Sequence, residues 1–124
     1  MAFDYHMFRA AGYVSVWVGE FTSEDDLDEY LRDSFSHDYG VKIDAAAIGE
    51  IAVKSVPVDI LTLVNGFSRS ETFDIACVEA ALKKLISKAS CMFVAYDFKY
   101  DQKQIKNPNS LLIFIGAIAY SGFK

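Results

Sequence analysis

Within eighteen residues, from Val14 to Leu31 (VSVWVGEFTSEDDLDEYL), the apolar pattern changes from that of a strand to that of a helix. Val14 to Val18 carries β-branched and aromatic side chains over a length typical of a strand, and Gly19 ends it. Ser23 then stands as an N-cap, with Asp26 three residues on as a shortened capping box. The helix opened there puts Leu27, Tyr30, Leu31, Ser34 and Phe35 on one face. Asp25, Asp28, Glu29 and Arg32 fall on the opposite, wet face. A chain with this switch near its start mixes strand and helix.

The rest of the chain extends the mixture. Ser36–Gly40 (SHDYG) reads as a loop with Gly40 available for a left-handed conformation. Asp44–Glu50 (DAAAIGE) reads as a short helix, and Ile51–Val56 is open between extended chain and strand. Pro57 fits the first turn of a helix, PVDILTLVNG, closed by Asn65-Gly66. Ser70 or Thr72 caps a further helix whose inner face is expected to carry Ile75, Val78, Leu82, Leu85 and Ile86. Cys91–Phe98 and Leu111–Tyr120 (LLIFIGAIAY) read as strands, the second apolar on both faces and therefore expected at the centre of a sheet. Between them lies KYDQKQIKNPNS, a loop long enough to be mobile or to be used.

The expected fold is α+β: a small antiparallel sheet of about three strands, the last strand central and paired with the first, and helices on one face, in the order β-α-α-α-β-β. Residues 1–12 read as a lead-in that could be flexible, and residues 13–124 as a single domain. The 124 residues, 52% hydrophobic, are enough to bury a core.

Charge is uneven along the chain. Up to Ile60 there are 12 acidic and 4 basic residues, and after it 5 and 8, so a half at −8 precedes one at +3 within a total of −5. A field this negative at one end is unsuited to nucleic acid, whose phosphates are bound by basic groups, and suited to a basic protein. Cys77 and Cys91 each sit in an apolar run and read as reduced, buried thiols. The N-terminal MAFDYHMFRAAGY lacks the pattern of a secretory signal, and the longest apolar run is about half of a membrane-spanning helix. A cytoplasmic protein with no membrane partner is expected.

No chemistry-bearing motif competes with the acidic helix. Glu24 to Glu29 lacks the glycine and the alternation of a calcium loop, and His6 and His37 are isolated from both cysteines. No cofactor or metal is expected. Glu20, Glu24 and Asp25 would repel a phosphate from the Gly19 junction. Ser36-His37-Asp38 are adjacent and cannot converge as a triad, and Gly66–Ser70 (GFSRS) misses the final glycine of a nucleophile elbow. Two acids facing each other across a cleft, as glycoside cleavage needs, are not supplied by one exposed helix face. Two readings of that face remain. It is a solvated surface, or five carboxylates within six positions form an electrostatic docking surface whose mutual repulsion a basic partner relieves. Trp17 is either a core residue or an interface anchor.

Taken together, VSVWVGEFTSEDDLDEYL, GFSRSETF (Gly66 to Phe73), KASCMFVAYDFKYD (Lys88 to Asp101) and the closing LLIFIGAIAY resemble, in order and spacing, the bacterial immunity protein 22 family. The resemblance spans Tyr13 to Tyr120; the residues before Tyr13 are extra, and Ala45-Ala46-Ala47 is plainer than the family's middle segment. It implies a non-enzymatic protein of a bacterial polymorphic-toxin system that binds a cognate toxin domain, often a nuclease. With the residue-level reading, it leads to an expected contact surface of Glu20, Asp25, Asp28, Glu29 and Asp33, with Phe21, Tyr39 and Trp17 as anchors. The alternatives are a small intracellular ligand-binding domain or enzyme with a pocket between sheet and helices, or an adaptor that dimerises through a sheet edge.

Overall fold

The computed structural model of the chain describes residues 3–4, 8–44 and 48–121. In chain order its elements are β1 (Phe3–Asp4), β2 (Arg9–Gly19), α1 (Glu24–Asp33), α2 (Phe35–Tyr39), β3 (Val41–Lys42), β4 (Gly49–Asp59), α3 (Ile60–Val64), α4 (Asp74–Lys83), β5 (Lys88–Phe98) and β6 (Leu112–Ala119). β1 and β3 make a two-stranded parallel pair. The main sheet has four antiparallel strands in the order β4-β5-β2-β6.

The fold is α+β, but it departs from expectation in strand count, strand order and helix placement. The first long strand does pair with the last, Val14 opposite Ile118 and Val18 opposite Ile113. Yet β6 lies at the sheet edge, and β2 and β5 are central. An apolar run on both faces reports that both faces are covered, and here helices cover both. α3 and α4 pack Ile60, Leu63, Val64, Cys77 and Ala81 against Val14, Val16, Met92, Val94 and Ile115. On the other face α1 and α2 pack Leu27, Tyr30, Phe35 and Tyr39 against Trp17, Phe93, Leu112 and Phe114. Helices on one face only is therefore corrected to a sandwich with the sheet in the middle.

The fourth strand, β4, takes residues expected to be helical. Residues 45–47 of the expected short helix lie outside the described residues, and Gly49 and Glu50 already pair with β5. Pro57 does not open a helix either; α3 starts at Ile60. Pairing of β4 with β5 is interrupted between Val53 and Val58, and Pro57 sits in that interval, where its missing N–H removes no ladder bond. Of the expected lead-in, residues 1, 2 and 5–7 lie outside the described residues, while Arg9 to Gly12 belong to β2.

α4 turns only part of its expected inner face to the sheet: Val78 and Ile86 pack against the core. Ile75, Leu82 and Leu85 are exposed, at 61%, 52% and 94%, whereas Cys77 and Ala81 are fully buried. The small residues of one stripe let the helix approach the sheet closely, so they win over the bulkier stripe at the same spacing. Neither Ser70 nor Thr72 caps it: a 3₁₀ turn (Ser70–Thr72) leads in, with Phe73 at the cap position. At its C-terminus the Ile86 amide donates to the Ala81 carbonyl and the Leu85 amide to that of Leu82, both at 2.9 Å. This is a Schellman closure, with Leu85 left-handed at φ 63° where glycine is usual. Such a conformation costs a leucine about 1–2 kcal/mol.

Two glycines act as expected of residues without a side chain. Gly40 ends α2 at φ 70°. Gly19 lets the end of β2 lie close beside the start of β6: a Cβ there would meet the Leu111 carbonyl oxygen at 2.7 Å.

Trp17 is the hub of the α1–α2 side. Its ring lies 5.1–5.7 Å from those of Phe35, Tyr39, Phe93, Tyr100 and Phe114. Its Nε1 is buried with no hydrogen-bond partner among the described residues, a cost on the order of 1–3 kcal/mol. Ring pairs contribute about 0.5–1.5 kcal/mol each beyond area burial, so five of them outweigh the orphaned donor. Replacing Trp17 with Ala should lower unfolding free energy by about 3–5 kcal/mol, measured by urea denaturation. A loss below about 1 kcal/mol would show that the rings do not form a packed core.

Candidate partner-binding surface

The acidic helix is built and held as its sequence dictates. The Ser23 hydroxyl oxygen accepts from the Asp26 amide at 3.3 Å, and Glu24, Asp25 and Asp26 fill the first turn, where the helix dipole favours them. Leu27 and Tyr30 are buried, and Glu20, Asp25, Asp26, Asp28, Glu29 and Asp33 are exposed. Arg32 Nε lies 3.3 Å from Asp33 Oδ1 in an exposed pair worth only a few tenths of a kcal/mol. Among the described residues no salt bridge engages Glu20, Asp25, Asp26, Asp28 or Glu29.

The sequence suggested one contact face of Asp25, Asp28, Glu29 and Asp33 with Glu20; the structure divides it and brings in Asp26. Asp26, Glu29 and Asp33, at i, i+3 and i+7, line a cleft of about 260 Å³ together with Phe21, Tyr30 and Leu111. A second cleft of about 410 Å³ shares Tyr30, Asp33, Ser34 and Leu111 and adds His37, Asp38, Asn107 and Asn109. The two form one groove between α1–α2 and the segment before β6. Leu111 is 65% exposed, and Phe21 is half-buried with its ring 5.5 Å from Tyr30. Asp25 and Asp28 are exposed but lie off this stripe.

Two expected anchors are not on the surface. Trp17 and Tyr39 are both buried, the former as the hub just described. Tyr39 stacks on Phe35 at 4.9 Å and donates its hydroxyl to the Leu112 carbonyl. Aromatic side chains that fill a core cannot also present area to a partner, so both are withdrawn as contact residues.

Asp38 was missed as a structural centre. SHDYG read as a loop, but Phe35–Tyr39 is helical and turns Asp38 inward. Its carboxylate accepts from Tyr30 Oη at 2.7 Å, Asn107 Nδ2 at 3.1 Å and Ser110 Oγ at 3.1 Å, with His37 Nδ1 at 3.3 Å. Its carbonyl accepts from the amides of Lys106 and Asn107. The polar segment before β6 is thus tied to α2 and forms the far wall of the groove. Burial pushes the Asp38 carboxyl up, but these hydrogen bonds, led by that from Tyr30, more than reverse it and hold it below its ordinary value. Burial, above all, raises the Tyr30 phenol and pushes that of Tyr39 up to about 12.

Comparison with known families bears on what such a groove is for. The sequence model of a family described as Immunity protein 22 matches residues 14–121, nearly the whole chain. The chain belongs to the immunity protein 22 family. Searches of curated proteins and of solved structures return no significant match. Membership in this family implies a toxin partner.

Away from the groove of this immunity protein 22 member, Glu50 is internally engaged. Glu50 accepts from the Ser68 amide at 2.8 Å, the Ser68 hydroxyl at 2.6 Å and Tyr96 Oη at 3.0 Å. Burial raises its carboxyl, and those bonds outweigh burial to leave it lowered. With Arg69, Asp97 and Tyr120 it lines a cleft of about 400 Å³ that ties β4 to the turn after α3. Burial pushes the Cys77 thiol up to about 12 and that of Cys91 to about 11. Among the described residues no group of three or more His, Cys, Asp or Glu is placed to hold a metal ion, and no helix is long and apolar enough to cross a membrane.

Asp38→Asn should cost this immunity protein about 2 kcal/mol at neutral pH, because an amide cannot accept from all of these donors. The folded-state carboxyl titrates below the unfolded one, so its stabilisation is complete above about pH 4 and is lost as pH falls through the folded value. The variant should therefore lose less stability than the wild type on acidification below about pH 4, while Glu50, present in both proteins, cancels. Urea denaturation at pH 7, 4 and 3 reads both effects; parallel pH curves would remove Asp38 from this role.

Proposed function

We propose that this protein is a cytoplasmic, non-enzymatic inhibitor that binds a basic toxin domain, a nuclease by preference, through the groove along α1. The observation that carries the reading is three exposed carboxylates, Asp26, Glu29 and Asp33, lining one cleft with the apolar side chains of Phe21 and Leu111. Lysine and arginine fit such a surface, since their alkyl stems cover apolar area while their charged ends meet carboxylates. A nuclease carries such residues where it grips phosphates. Glu20, Asp25 and Asp28 extend the field beyond the groove and speed encounter, toward about 10⁸ M⁻¹s⁻¹ at low salt.

Family membership supports the toxin partner, and the charge of α1 supports a basic one. The test is the double variant Glu29→Lys, Asp33→Lys, with the toxin domain encoded by the neighbouring gene, catalytically inactivated, as ligand. Association at low salt should slow by about tenfold or more and its salt dependence should flatten. Protection of cells expressing the active toxin should fall in step. Unchanged association at low salt would place the contact elsewhere.

A further inference from the structure

Toward His37 the α1 groove changes its chemistry. The second cleft shares Tyr30, Asp33, Ser34 and Leu111 with the first, so a partner lying on Asp33 faces both, and it adds His37, Asn107 and Asn109. The turn that walls this end is spent on holding itself in place. The Asn107 amide donates to the Asp38 carbonyl at 3.0 Å, its Nδ2 donates to the Asp38 carboxylate at 3.1 Å, and its Oδ1 accepts from the Asn109 amide at 3.0 Å. The Asn109 carboxamide is the exception. Among the described residues it has no hydrogen-bond partner, and neither has the Ser34 hydroxyl.

What this end offers is hydrogen-bond acceptance. The Asp38 carboxyl, held below its ordinary value, is ionised at neutral pH and has no proton to give. His37 Nδ1, 3.3 Å from it, therefore carries the proton of that bond, and in the neutral ring Nε2 is then a bare acceptor. The Asp33 carboxylate, the Ser34 hydroxyl and the free carboxamide of Asn109 add acceptor oxygens in the same cleft. An arginine guanidinium spreads its N–H donors over a planar fork and carries no acceptor, whereas a lysine ammonium concentrates fewer donors at one point. The exposed Leu111 side chain, in the same cleft, gives an arginine stem apolar cover. The acidic stripe attracts any basic surface, but a set of fixed acceptors discriminates, because the wrong side chain leaves them unpaired.

We propose that this end of the groove is an arginine subsite, in which Asp33, Ser34, His37 and Asn109 receive one guanidinium of the toxin and so select which toxin is bound. The proposal rests on the toxin-binding reading above and adds the identity of a partner side chain. Ser34→Ala and Asn109→Ala remove side-chain ends that make no hydrogen bond among the described residues, so Tm of the double variant should hold within about 2 °C. Against the inactivated toxin domain of the neighbouring gene, its Kd should increase about tenfold through faster dissociation, with association and its salt dependence unchanged. The toxin's arginines, replaced singly by lysine, supply the second arm. One such replacement, at unchanged charge, should weaken binding to the wild-type protein about tenfold and cost the double variant little more. The proposal is overturned if no arginine-to-lysine replacement weakens binding, or if the loss is the same against both proteins. A larger fall in Tm of the double variant would make Ser34 and Asn109 structural residues and overturn it as well. Normal affinity of the double variant, with Glu29→Lys, Asp33→Lys impaired, would sink the subsite and leave the toxin reading standing. Failure of the wild-type protein to bind or protect would sink both.

Discussion

From Val14 to Gly19 strand β2 has no free side, and the architecture follows from that. Its backbone is hydrogen-bonded to β5 along one edge and to β6 along the other. Its side chains alternate between two filled spaces: Val14, Val16 and Val18 under α3 and α4, and Trp17 under α1 and α2. A strand buried on four sides must be enclosed by elements from everywhere else in the chain. Hence the sheet takes its strands from distant segments, and the helices divide between its faces. The buried Ser15 on this strand illustrates the constraint: its hydroxyl donates to the Phe98 carbonyl at 2.7 Å and accepts from the Tyr100 amide at 2.9 Å. A polar group survives there only because both of its bonds are made inside the protein.

The parts of this fold that local chemistry decides were legible in the sequence. The Ser23 cap, the amphipathic run to Tyr30 and the left-handed Gly40 each depend on a few adjacent residues. The pairing of the first long strand with the last was expected too, but from a central last strand, whereas the structure reaches it with that strand at the edge. What resisted reading depends on contacts distant in sequence. Pro57 is chemically at home in a helix opening and on a strand edge, and only the presence of β5 decides for the second. Along α4 two stripes satisfy the same spacing, and the winner is set by how closely the sheet lets the helix approach. Asp38 carries no local mark at all; its role exists because Asn107 and Ser110 fold back onto it. At the surface, the acidic stripe was visible, but its division into groove-lining and outlying carboxylates required the position of Leu111.

The charge on α1 is tolerated for identifiable reasons. Neighbouring carboxylates on a helix repel by a few tenths of a kcal/mol per pair. Against this stand the Ser23 cap, the dipole, the burial of Leu27 and Tyr30, and the Tyr30–Asp38 bond. These hold the helix on an aromatic layer that includes Phe35 and Trp17. The exposed carboxylates thus stand on a packed aromatic support.

The interruption in β4 has a consequence for life at high concentration. An outer strand offers a ladder of unused amides and carbonyls on which another molecule can build fibrils. Here the outer strand is β4, whose pairing with β5 lapses between Val53 and Val58, a stretch that holds Lys54 and Pro57. A cation and a proline on an outer strand each work against another chain pairing along that border.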